Sequence, residues 1–136
     1  MNTDREPDLA NLGSNRLLAK DETHAIIGCA FEVLNEVGHG LHEKIYENSL
    51  VVDFKKQAIS FEQQREFPVT YKGEKVGRFI PDLTAFNKVI VDTKVANGIT
   101  DHERGQMLNY LRITGMRVGL ILNFKHARLE WERIVL

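Results

Sequence analysis

Cysteine is nearly missing from this chain of 136 residues, with Cys29 as its single representative. One thiol makes neither an internal disulfide nor a thiolate zinc site. Cys29, inside the apolar run Ile26-Ile27-Gly28-Cys29-Ala30-Phe31, is therefore expected to be a small buried hydrophobe. A basic excess is missing too: 18 Lys and Arg face 19 Asp and Glu, for a formal net charge of -1. Bulk charge therefore does not draw this chain onto a polyanion, and any phosphate-binding role must rest on a local site. No apolar run approaches the ~20 residues of a membrane span. The first residues hold Asp4, Glu6 and Asp8 where a secretory signal would need a basic start and an apolar centre. These absences predict a soluble, cytoplasmic protein with no membrane partner. Internal repeats and low-complexity tracts are also missing.

What is present suffices for one core, since hydrophobic residues make up 43% of the chain. Residues 1–20 have no hydrophobic period and are expected to form a flexible N-terminal arm, with one domain over 21–136. Asp21 is a plausible N-cap. Beyond it Ile26, Ile27, Ala30, Phe31, Val33, Leu34 and Val37 recur at helical spacing, and Gly38 and Gly40 close the helix. A second helix is expected over 41–58, with Ile45, Leu50, Val51 and Phe54 on its apolar stripe. Strands follow over 61–71, 76–86 and 89–95, with turns at Lys72-Gly73-Glu74 and around Asn87-Lys88. Thr100-Asp101-His102-Glu103 has the pattern of a capping box and starts a helix that Gly115 ends. Two strands, 118–124 and 129–135, complete an α-α-β-β-β-α-β-β order, the signature of a layered α/β domain.

Charged residues stand inside two of these strands. In Val91-Asp92-Thr93-Lys94-Val95, Asp92 and Lys94 share a face while Thr93 points away. Phe79-Ile80-Pro81-Asp82-Leu83 puts a second carboxylate about ten positions upstream. Taken singly, Asp92 and Lys94 would be an ordinary surface pair on an edge strand. Two acids on neighbouring strands with a carbonyl between them can hold an oxygen-seeking ion such as Mg²⁺, beside which Lys94 can stabilise an anion. The register sets a condition. A two-residue turn at Asn87-Lys88 would put the acids on opposite faces, whereas a three-residue loop, Phe86-Asn87-Lys88, sets Asp82 against Asp92. Gln106 and Tyr110 share a face of the third helix, as Glu43 and Tyr46 share one of the second.

Gly40-Leu41-His42-Glu43-Lys44-Ile45-Tyr46 resembles the signature of the GxxExxY protein family, placed in the PD-(D/E)XK nuclease superfamily. Pro81-Asp82 followed by Asp92-Thr93-Lys94 is similar to the superfamily's namesake motif, and Gln106 to Tyr110 to the QxxxY motif of its exonuclease branch. The resemblance covers roughly Asp21 to Leu136. It implies a restriction-endonuclease-like mixed sheet flanked by helices, and a Mg²⁺- or Mn²⁺-dependent nuclease acting on DNA or RNA. Asp82, Asp92 and the Thr93 carbonyl would hold the metal, with Glu43 as a further metal or water ligand. Lys94 would be the catalytic cation, and Gln106 and Tyr110 would shape the site. A catalytically silent module of the same fold, binding nucleic acid or a protein partner, is the alternative.

Other residues point less sharply. His24, His39, His42, His102 and His126 lack zinc spacing, and His102 is expected in a capping region. Lys55, Lys56, Lys72, Lys75, Arg78, Arg104, Arg112 and Arg117 could line a phosphate groove, solvated surface being the default for most. For Trp131, packing is expected ahead of base stacking.

Overall fold

A computed structural model describes residues 18–136. Helix α1 spans Lys20–Val37, α2 Glu43–Lys56 and α3 Asp101–Thr114. The strands are β1 (Phe61–Gln63), β2 (Phe67–Tyr71), β3 (Glu74–Phe79), β4 (Leu83–Ala85), β5 (Val89–Lys94), β6 (Val118–Asn123) and β7 (Glu130–Val135). Of the expected N-terminal arm, residues 1–17 lie outside the described residues, and Lys20 already opens α1. That helix starts one residue ahead of its expected cap: Ala19 is left-handed with no side-chain cap, and Asp21 lies in the first turn, where its charge suits the helix dipole.

A five-stranded sheet has the order β1-β4-β5-β6-β7, and β2 and β3 form a separate hairpin. β5 runs antiparallel to β4 and parallel to β6; the crossover between β5 and β6 is α3. The two expected long strands, 61–71 and 76–86, are each broken in two. At the first break Gln64 adopts a left-handed backbone, φ 58°. At the second, Pro81 has no N–H to give a ladder. Alternating side chains continue through both breaks, which is why the sequence pattern runs on.

The sheet divides two apolar clusters. Leu83, Ala85, Val89, Val91, Leu120 and Leu122 face α1 and α2. Ile90, Ile121 and Ile134 face Met107 and Leu111 of α3. On α1 the buried stripe is Ile26, Cys29, Ala30, Val33 and Leu34, whereas Phe31 and Val37 fall off it and are exposed. On α2 the stripe is Tyr46, Leu50 and Phe54, four apart each time, which turns Ile45 out to solvent. Gly119 brings α3 close: a Cβ there would stand 2.4 Å from the Met107 sulfur. Trp131 packs against the first cluster. Among the described residues no helix is long and apolar enough to cross a membrane.

Candidate active site

The turn that decides the site is Phe86-Asn87-Lys88. Phe86 and Asn87 both take left-handed backbones (φ 58° and 53°), and the Lys88 amide donates to the Ala85 carbonyl at 3.0 Å. Three loop residues pair Leu83 with Val91, and one further step sets Asp82 opposite Asp92. The register condition is met.

Asp82 stands just before β4 and is tied to β5 by its side chain. Its Oδ2 accepts from the Thr93 amide and from the Thr93 hydroxyl, each at 2.9 Å. Past the end of β4 the Thr93 amide is thus satisfied by a carboxylate, which fixes the acid's position. The sequence reading gave Thr93 only its carbonyl. Its amide and hydroxyl are what hold Asp82. Across the opposite edge the Asp82 carbonyl accepts from the Gln64 amide at 3.1 Å.

Asp92 and Lys94 project on the same face as Ile90, toward α3, with Lys94 Nζ 3.4 Å from Asp92 Oδ2. The two are pulled in different ways. Burial raises the Asp92 carboxyl to a pKa of about 7; Lys94 opposes this, and the neighbouring Asp82 carboxyl adds to it. Burial works against the Lys94 ammonium, but Asp92, Glu43 and Tyr110 outweigh it and hold its pKa above the ordinary lysine value. Two carboxyls and one ammonium therefore stand together with an excess of acid, the electrostatic setting in which a cation is welcome.

Glu43 lies exposed at the start of α2, within electrostatic reach of Lys94. It does not complete a tight cluster: among the described residues no three His, Cys, Asp or Glu side chains are gathered closely enough to hold a metal. Tyr110, half-buried on α3, stacks on Phe79 with centroids 3.9 Å apart. Burial raises its phenol, Asp92 and Asp82 raise it further, and Lys94 opposes them. Gln106, one turn earlier, is half-buried, and its side chain makes no hydrogen bond to the described residues. Its amide is free for a ligand.

Tyr46 stays out of the chemistry. Fully buried, it donates from its hydroxyl to the Gly38 carbonyl at 2.8 Å and accepts from the Leu41 amide at 2.9 Å. Its ring stacks on Phe124 at 4.4 Å, while the Gly40 amide donates to the Phe124 carbonyl at 2.9 Å. The Gly38-His39-Gly40 bend is thereby pinned to the end of β6, which fixes where α2 and Glu43 begin. Arg104 is likewise structural, forking onto the buried Glu132 at 2.6 and 2.8 Å and reaching Asp101 at 2.7 Å. Arg112 and Arg117 bond Asn109 and the Leu136 carbonyl. His102 is exposed in the capping turn of α3, whose Thr100/Glu103 box is complete.

Two supporting groups were missed from the sequence. Glu47, buried one turn beyond Glu43, accepts from Gln63 at 2.6 Å and from Gln64 and Lys44 at 3.0 Å each. Burial pushes its pKa up, and these three donors outweigh that and hold it below the usual carboxylate range. Since the Gln64 amide bonds Asp82, Glu47 clamps α2 to the strand end beside the acids. Buried Asn123 bonds the Ala96 backbone on both sides and Glu130, whose other oxygen takes the Ile99 amide at 3.1 Å. This ties down the link from Lys94 to α3. Glu47 falls at i+4 from Glu43, and that spacing was the available signal.

The donor set fits a hard divalent cation. Mg²⁺ takes one or two protein carboxylates and completes its shell with water and phosphate oxygens. The Asp82 and Asp92 carboxyls stand within hydrogen-bonding reach of each other, the close approach of two acids that a shared cation would relieve.

No curated protein matches the sequence. A crystal structure of a protein named SSO0001 is similar in fold, with a TM-score of 0.54 at 15% identity, covering 88% of this chain. This chain spans 59% of that one's length. The family description PD-(D/E)XK nuclease superfamily matches residues 20–134, from the first residue of α1 to the last strand. With its helix-flanked mixed sheet and paired acids, the chain belongs to the PD-(D/E)XK nuclease superfamily.

Proposed function

We propose that this protein is a divalent-metal-dependent nuclease of the GxxExxY type, hydrolysing phosphodiester bonds of DNA or RNA in the cytoplasm. One observation carries the reading: Asp82 and Asp92 oppose each other across β4 and β5, with Lys94 3.4 Å from Asp92 on the same face. Asp82, Asp92 and the Thr93 carbonyl would hold Mg²⁺ or Mn²⁺, with Glu43 as an outlying ligand to the ion or its water. Bound there, the ion supplies Lewis-acid neutralisation of the phosphate's charge. The chain's own groups do the rest. Lys94 brings a held positive charge to the phosphate oxygens as negative charge builds during attack. Glu43 accepts a proton or hydrogen bond from the incoming water. The free Gln106 amide and the Tyr110 hydroxyl orient the phosphate, Tyr110 being kept in place by Phe79. Water adds its oxygen to phosphorus as Glu43 takes its proton, the P–O ester bond breaks, and the leaving oxygen takes a proton from solvent.

The purified chain should cut single- or double-stranded DNA or RNA with Mg²⁺ or Mn²⁺ and not with EDTA. Cleavage that survives in both Asp92→Asn and Lys94→Ala would sink the proposal. The gathering of two acids rather than three favours a second reading, a silent module binding nucleic acid or protein. A Mn²⁺ titration with no binding that depends on Asp82 and Asp92 selects it.

A further inference from the structure

The β2–β3 hairpin stands apart from the five-stranded sheet, and every residue of β3 from Glu74 to Arg78 is exposed. At its tip Tyr71 and Val76 are each 63% exposed, an unusual use of large apolar side chains on a projecting turn. The register slips between Val69 and Thr70, leaving Val76 as a bulge residue that re-aims the strand. Around these residues Arg65, Lys72, Lys75 and Arg78 outnumber Glu66 and Glu74, the reverse of the balance in the whole chain.

Those cations are weakly held. Glu66 alone serves both Arg78, at 3.2 Å, and Lys75, at 3.9 Å, and all three side chains are 45% exposed or more. Exposed pairs of this kind hold weakly against solvent and salt, so a phosphate displaces Glu66 at little cost. Lys72 has no carboxylate partner among the described residues and lies 5.3 Å from the Tyr71 ring centre.

The base of the hairpin reaches the site. Phe67 pairs with Phe79, Phe79 stacks on Tyr110, and β3 leads through Ile80 and Pro81 into Asp82. Extended chain rises ~3.3 Å per residue, so Arg78 lies up to ~13 Å from Asp82, Lys75 up to ~23 Å, and Lys72 in the turn somewhat farther. At ~3.4 Å per phosphate along one strand, that range is roughly four to eight nucleotides.

We propose that the β2–β3 hairpin is a backbone grip for nucleic acid, in which Arg78, Lys75 and Lys72 take successive phosphates roughly four to eight nucleotides from the bond held at Asp82 and Asp92. Tyr71 offers a ring face on which an unpaired base can stack. The identity of the polyanion rests on the nuclease reading above.

The test compares Lys72→Ala/Lys75→Ala/Arg78→Ala with its parent, both carrying Asp92→Asn to bar cleavage. Labelled DNA and RNA of about 30 nucleotides, single- and double-stranded, are titrated between about 50 and 200 mM salt. The triple variant should bind at least ~tenfold more weakly at low salt, with the slope of log K against log salt reduced by about two to three. On the active background, hydrolysis of bis(p-nitrophenyl) phosphate, too small to reach the hairpin, should be unchanged. Equal affinity and equal slope overturn the assignment. If the parent binds through the hairpin but active wild type cleaves nothing, the nuclease reading falls and the grip stands. If Asp92→Asn abolishes cleavage while the triple variant binds like its parent, the grip falls and the nuclease reading stands.

Discussion

The two faces of the central sheet are made from the same strands and do different work. Toward α1 and α2, the residues Val89, Val91, Leu120 and Leu122 form an unbroken apolar surface, all buried. Toward α3, Ile90 and Ile121 begin in the same way, but the next positions along β5 are Asp92 and Lys94. The α3 layer closes over the first half of that face and leaves the carboxyl end of β5 partly open. One strand thereby carries a core on one side and a charged site on the other. Stability and chemistry should therefore separate by face.

The largest effect expected is on cleavage: Asp92→Asn should lower kcat by ~10³-fold or more, about 4 kcal/mol of barrier, while the thermal midpoint holds or rises. On the opposite face Leu120→Ala should cost ~2–5 kcal/mol in urea unfolding with the site's residues untouched. The raised pKa of Asp92 gives a pH signature. Between the unfolded value near 4 and the folded value of about 7, the folded state holds a proton that the unfolded state has lost. Stability of the metal-free protein should therefore fall by ~1.4 kcal/mol per pH unit across that window and level off above it. Asp92→Asn should remove the slope, and millimolar Mg²⁺ should flatten it in the wild type by favouring the ionised form. Glu47→Ala leaves Gln64 and Lys44 without their acceptor and Gln63 with Asn48 alone, and should cost ~1–3 kcal/mol, with a rise in KM as Asp82 loosens. Lys88→Ala breaks only the exposed Glu22 pair and should shift stability by less than ~1 kcal/mol, by the same unfolding measurement.

Much of this was legible because it is local. The Thr100/Glu103 box, the glycine stop at Gly115 and the three-residue turn at Phe86 depend on neighbours in sequence, as does the alternation that fixes the face of Asp92 and Lys94. What escaped depends on partners far away. Nothing around Arg104 announces Glu132, and nothing in the alternation of 61–71 announces that Gln64 leaves the strand to bond Asp82. Tyr46 and Ile45 were misread for a related reason: with several apolar residues in one helix turn, the buried direction is chosen by what packs against it, here Phe124. The carboxylate pairing was readable; the Thr93, Gln64 and Glu47 contacts that hold it needed the fold.

The parallel pairing of β5 with β6 carries a consequence for timing. Every residue assigned to the chemistry, from Glu43 to Tyr110, precedes β6 in the chain. Parallel strands meet only after their crossover is made and folded back, a closure that non-local contacts repay late. A chain still emerging from the ribosome can thus hold the whole catalytic set and yet have no site. β5 lacks its inner neighbour, α3 has no Ile121 or Gly119 to settle on, and the bend before Glu43 has no Phe124 to hold it. The last strands contribute none of these side chains, and they are what brings the site together.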